Sequence, residues 1–167
     1  MSARLRPTPP ATDMQGLAQR IRALIGIEAQ HEWVSVPLGG RLFDVVITAS
    51  GTLGRAAVAR MDDIQLGICG PVIEDPEQSL LFWLVPSGTS AGWQPDLYSV
   101  AFGAPWVLPL PRLSRRKPPG LHWLRECRSD RLVPPLQLRR LLGQGSLAPL
   151  PVAATGPPLQ TSMPAGG

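Results

Sequence analysis

Apolar positions along this chain change their period several times, and each change marks an element. Leu17, Ile21, Leu24 and Ile25 fall at i, i+4, i+7 and i+8, one face of a helix. Thr12-Asp13-Met14-Gln15 ahead of them has the form of a capping box, and Gly26 is a stop. Residues 33–36 alternate as a short strand closed by Pro37, and 38–41 read as a turn. The run 42–47 is apolar or β-branched apart from Asp44, which predicts a strand. Gly51 and Gly54 flank the start of a second helix whose inward stripe is Leu53, Ala57, Val58 and Met61. Residues 69–73 and 80–85 form a predicted hairpin with Glu74-Asp75-Pro76-Glu77 as its turn. After a loop of small residues at 87–92, 98–102 and 106–108 read as short strands. Pro109-Leu110-Pro111 is expected to leave the sheet, because proline cannot donate to a ladder. A basic loop at 112–119 precedes a strand at 121–124. A last helix at 136–142 turns Leu138, Leu141 and Leu142 inward, with Arg139 and Arg140 outward.

Helix, strands, helix, hairpin, strands, helix is the order of an α+β domain: a mostly antiparallel sheet flanked by short helices, over residues 12–142. Residues 1–11 carry three prolines and no period, and are expected to be a flexible lead. Residues 143–167 contain no charged side chain and are rich in Pro, Gly and Ala, so a disordered tail is expected there. Composition sharpens this in one respect. Gly and Pro together make 37 of 167 residues, an excess that belongs in turns and tails. A hydrophobic share of 44% excludes a wholly disordered chain. No apolar run approaches the roughly 18 residues of a membrane span, and the start lacks a secretory h-region, so a cytoplasmic protein is expected.

Charge is unevenly spread. The formal net charge is +4. Between Arg112 and Arg140, nine basic residues face only Glu126 and Asp130, so this segment carries +7 and the rest of the chain −3. Arginine's planar fork suits phosphates and stacks on flat rings, which makes Arg112, Arg115, Arg116, Lys117, Arg125 and Arg128 the candidate nucleic-acid-binding residues. The alternative is an ordinary solvated surface. Cys69 and Cys127 belong to no CxxC pair, and His31 and His122 are not at ligand spacing from them. Two reduced, partly buried thiols and no structural metal are expected. Phosphate-loop, dinucleotide and nucleophile-elbow motifs are absent. Asp62 and Asp63 read as a solvated helix end. Asp44, amid Leu42, Phe43, Val45 and Val46, must either face solvent by alternation or be paired. Asp44 and Asp96 are the two strand-associated acids that could be catalytic. His122 reads as a packed or half-exposed histidine and not a catalytic one, and Trp83, Trp93, Trp106 and Trp123 as core before base-stacking platforms.

The order of these segments resembles the N-terminal domain of bifunctional DNA primase/polymerases, the Prim-Pol branch of archaeo-eukaryotic-type primases. Residues 42–47 are similar to that family's first metal-bearing strand, 54–61 to its helix and 80–85 to its histidine strand. Asp96 is similar to its third acid, Gly103 to its turn, Trp106-Val107-Leu108-Pro109-Leu110-Pro111 to its proline segment and 134–142 to its closing helix. The resemblance covers residues 42–142. It implies a nucleotidyltransferase fold using Mg or Mn, but this chain departs from the pattern. Ile47 and Ala49 occupy the slots of two metal-binding acids, and Leu80 or Leu81 the histidine slot. The glycine-rich approach is replaced by 74–79, and the leading strand is reduced to 32–36. Two-metal transfer needs carboxylates on both ions.

The expectation is therefore a stand-alone, catalytically degenerate member of that family with no cofactor, retaining a face for single-stranded nucleic acid or nucleotide. A protein-interaction or regulatory module docking a protein partner is the alternative. An active primase-polymerase using Asp44 and Asp96 with Mg or Mn is the third.

Overall fold

Phe43–Ala49 is buried along its whole length because both of its faces are covered. In the computed structural model, which describes residues 17, 19–21, 33–127, 131–144, 147–151 and 160–161, this strand is β2. It lies inside a five-stranded sheet. The strands in chain order are β1 (Trp33–Pro37), β2, β3 (Val72–Asp75), β4 (Leu80–Pro86), β5 (Ser99–Phe102), β6 (Trp106–Pro111), β7 (His122–Arg125) and β8 (Gln160–Thr161). The helices are α1 (Thr52–Ile64), α2 (Thr89–Gly92) and α3 (Pro135–Leu142). One sheet runs β5-β2-β4-β3-β7 and the other β1-β6-β8. Every pairing in both is antiparallel, and the fold is α+β.

Side chains alternate across a strand, so β2 sends Phe43, Val45 and Ile47 one way and Asp44, Val46 and Thr48 the other. The first set joins Ile73, Leu80, Phe82 and Leu84 in a core shared with Val34, Val36, Leu108 and Leu110 of the smaller sheet. Leu17 and Ile21, both helical and fully buried, belong to it too. The second set faces Ala57, Val58 and Met61 of α1 and Leu138, Leu141 and Leu142 of α3. Trp83, fully buried on this face, donates its indole N–H to Thr48 Oγ1 at 2.9 Å. The stripe of α1 differs by one residue from expectation. Leu53 is about half exposed, and Gly54 is inside, where an added Cβ would stand 2.6 Å from the Ala49 carbonyl oxygen.

Two expectations are corrected. Pro109 and Pro111 stay in β6, paired with Ser35 and Trp33. Leu38 donates to the Trp106 carbonyl at 2.9 Å, which makes 38/106 a hydrogen-bonded pair. By the two-residue repeat, 36/108 and 34/110 are bonded too, while 35/109 and 33/111 are not. The prolines therefore occupy positions where no donor is required toward β1, and β8 pairs only with Trp106 and Val107. The tail expected to be disordered from Gly143 also carries structure. Leu147 is 7% exposed in the helical core, Leu150 donates its amide to the Leu97 carbonyl at 2.8 Å, and Gln160–Thr161 forms β8. The lead at 1–11, the capping box, Leu24, Ile25 and the remainder of the tail lie outside the described residues. Among the described residues, no helix is long and apolar enough to cross a membrane.

Candidate functional site

Ala49, Leu80 and Asp75 form one row across β2, β4 and β3, and Ile47, Phe82 and Ile73 form the next row on the same face. At this end of the sheet a cleft of about 390 Å³ opens. Asp75, Glu77, Phe82 and Arg115 line it. So do Trp33 and Val107, on the side of β1 and β6 that turns away from the core. Trp33, absent from the aromatic residues the sequence drew attention to, is 53% exposed. Its outward position follows from the alternation of β1, which buries Val34 and Val36.

The two candidate acids do not meet. Asp44 is 1% exposed, on the helical face, so it is not the outward-facing residue that alternation allowed. It is the paired one: its Oδ2 accepts the backbone N–H groups of Gly88 at 3.0 Å and Ser90 at 2.9 Å. Gly103 packs against it so closely that a Cβ would stand 2.9 and 3.0 Å from the two carboxylate oxygens. Asp96 Oδ1 accepts from the amides of Tyr98 at 2.8 Å and Ser99 at 2.9 Å, closing the turn into β5. Ser99 pairs with Thr48, four residues along β2 from Asp44, a separation of about 13 Å at the rise of a strand. Each carboxylate thus holds its own turn. Among the described residues, no group of three or more His, Cys, Asp or Glu side chains is placed to hold a metal ion.

The basic segment is divided. Arg115 lines the cleft described above, and Arg112 and Lys117 share its loop. Arg116 and Arg125 line a second cavity of about 330 Å³, where their charges are matched. Arg116 pairs with Glu126 at 2.6 Å. Arg125 grips Asp62 bidentately, its Nε 2.9 and 3.1 Å from the two oxygens and its Nη2 bonded to Oδ2. Arg128 lies outside the described residues. Arg139 sits 4.8 Å from the centre of the Trp93 ring and donates to the Gln94 carbonyl.

Asp62 is consequently no solvated helix end. Burial pushes its carboxyl up, but the Arg125 hydrogen bond, the Cys69 amide at 2.8 Å and the Arg125 charge outweigh this and hold it below the ordinary value. A depressed folded value stabilises the fold above the unfolded value and loses that contribution as pH falls through the folded one. Asp62→Asn should therefore cost about 1–2 kcal/mol at pH 7, the size of a partly buried charged hydrogen-bond pair. Urea denaturation of both forms should show the gap narrowing as pH falls below about 4, where the unfolded carboxyl takes up its proton, and closing only below the depressed folded value. Both cysteines are buried and free. Burial, with the Asp62 charge behind it, pushes the Cys69 thiol up to about 12, so it stays protonated at neutral pH.

A third cluster has no signal in the amino-acid order. Glu74 and Asp75 finish β3 instead of forming the hairpin turn, which falls at 76–79. Glu74 Oε1 accepts from Arg55 Nη2 of α1 and lies 3.0 Å from His122 Nε2 of β7. His122 Nδ1 is 2.9 Å from the Gly120 carbonyl, which only accepts, so Nδ1 donates to it, while Nε2 faces Glu74 Oε1. With both ring nitrogens engaged and 1% exposure, His122 has no nitrogen to offer a substrate. Of the two options the sequence left for His122, packed or half-exposed, it is the packed one. No family model matches the chain, and no curated protein or solved structure matches it either.

Proposed function

We propose that the chain is a Prim-Pol-like domain that binds single-stranded nucleic acid or nucleotide in the cleft beside β4 without polymerising it. The observation that carries this reading is the position of the cleft. Phe82, on its wall, stands directly opposite Ile47, and Asp75 shares a row with Ala49. Ile47 and Ala49 are the two slots where the resemblance calls for metal-binding acids. Both are buried and neither lines the cleft, which opens beside them along the same face of the sheet; that proximity is what supports the reading. The volume of the cleft falls in the range of about 300–1,000 Å³ usual for ligand pockets. Trp33 offers a half-exposed indole face for a base, and Arg115 a guanidinium for a phosphate.

Fluorescence anisotropy with a labelled single-stranded oligonucleotide tests this. The log–log plot of affinity against salt should fall by about 0.7 for each phosphate neutralised, and Arg115→Ala should make it shallower by about that amount. Trp33→Ala should weaken binding by about 1–3 kcal/mol, the worth of one stacked base. No anisotropy change, or one indifferent to salt, sinks the reading.

The protein-interaction alternative has one observation in its favour. Ile64, Leu66 and Ile68, at and just beyond the end of α1, are 45%, 91% and 52% exposed. A partner retained in a pull-down after nuclease treatment, and lost with Leu66→Ser, would support that reading instead.

A further inference from the structure

We propose that the base taken by this cleft is guanine, and that Asp75 reads it. The inference rests on the nucleotide-binding reading and adds the identity of the base. Asp75 is 8% exposed and lines the cleft. One of its oxygens is spent on the hairpin turn: Oδ1 accepts the amides of Glu77 at 3.1 Å and Gln78 at 3.2 Å. Its other oxygen, Oδ2, has no hydrogen-bond partner among the described residues. Glu77, on the same turn, lines the cleft with a second carboxylate.

Ionised carboxylates accept and cannot donate, so this wall asks its ligand for N–H groups. The four common bases answer differently. Guanine presents N1–H and the N2 amino group side by side, two donors on one edge. Adenine and cytosine each present one amino group beside a ring nitrogen whose lone pair would face the carboxylate. Uracil and thymine present a single N–H between two carbonyl oxygens. Guanine alone offers one donor to Asp75 Oδ2 and a second to the Glu77 carboxylate without setting a lone pair against a charge. An edge that leaves the buried Asp75 carboxylate unmatched costs more than the missing bond, so this residue discriminates between bases. Trp33 and Arg115 supply stacking and phosphate contact that do not depend on which base is bound.

The test is a fluorescence-detected titration of the full chain with GTP, ITP and ATP. ITP differs from GTP only in lacking the N2 amino group. GTP should bind about ten- to hundred-fold more tightly than ITP, the loss expected for one hydrogen bond to a charged acceptor. Asp75→Asn keeps Oδ1 for the turn and puts an amino group where Oδ2 was, so the GTP preference should shrink to about two-fold. Should that variant fail to fold, Glu77→Gln, on the exposed side of the turn, should still narrow the ratio. Equal binding of all three nucleotides overturns guanine selection and leaves the nucleotide reading standing. A guanine preference untouched by Asp75→Asn overturns the role of Asp75. Binding of no nucleotide, together with no oligonucleotide binding, overturns both.

Discussion

Replacing Glu74 by alanine is expected to cost about 1–3 kcal/mol of folding stability, the range for leaving a buried hydrogen-bonding group without its partner. Glu74 is 2% exposed and His122 1%, and they come from β3 and β7, adjacent strands at the edge of the five-stranded sheet. Alanine would leave His122 Nε2, buried between strands, without its hydrogen-bond partner. Arg55, whose side chain is 62% exposed, can turn to solvent, so its share of the loss is small. Glu74→Gln should cost less, since an amide oxygen still accepts from either partner. His122→Ala should cost a comparable amount to Glu74→Ala. The double variant should cost much less than the sum of the two, because each single change already strands the other group. Urea denaturation of the four proteins reads this directly. Additive losses would mean that the pair is not coupled.

The elements were mostly legible because their periods are clean. In α3, Leu138, Leu141 and Leu142 read as one face and pack as one face. In β1, Val34 and Val36 go in and Trp33 and Ser35 stay out. The pattern fails where a strand is covered on both sides. Along β2 every residue is buried, so alternation gives Asp44 no solvent face, and of its two options only pairing was open. The β3–β4 hairpin fails differently. Glu74 and Asp75 have turn-like composition, yet the register places them opposite Leu81 and Leu80, and only pairing across strands reveals this. The prolines of β6 were misjudged because the rule against proline in sheets depends on which positions are hydrogen-bonded, a parity set by the partner strand. The candidate site was legible in part. Arg115 was flagged by charge density, whereas Trp33, Asp75 and Glu77 come together only through contacts between two sheets and a loop. The +7 segment looked like one patch because Asp62, which neutralises Arg125, lies 63 positions earlier in the chain.

Asp44→Ala is expected to destabilise the fold by about 2–4 kcal/mol, because two backbone N–H groups lose one charged acceptor at once. The amides of Gly88 and Ser90 bracket the start of α2, a helix of four residues with no side-chain cap of its own. Asp44 therefore supplies from β2 what α2 lacks, tying the end of β4 to the strand beside it. Asp44→Asn should cost less, since a neutral oxygen still accepts. Gly103→Ala should approach the alanine loss by another route: its Cβ would stand 2.5 Å from Ser90 Oγ and press on the same carboxylate. Thermal or urea unfolding of the three variants gives the ranking. The same proteins decide between a structural and a catalytic Asp44. If the carboxylate is a clamp, oligonucleotide affinity measured below the unfolding transition should be the same in Asp44→Asn as in wild type, and neither should extend a primer with template, nucleotides and manganese. Extension by wild type that disappears in a stable Asp44→Asn or Asp96→Ala protein would return these acids to catalysis. It would also mean that the aliphatic pair at Ile47 and Ala49 does not prevent the chain from gripping a metal ion, since phosphoryl transfer has to place one between carboxylate and phosphate oxygens.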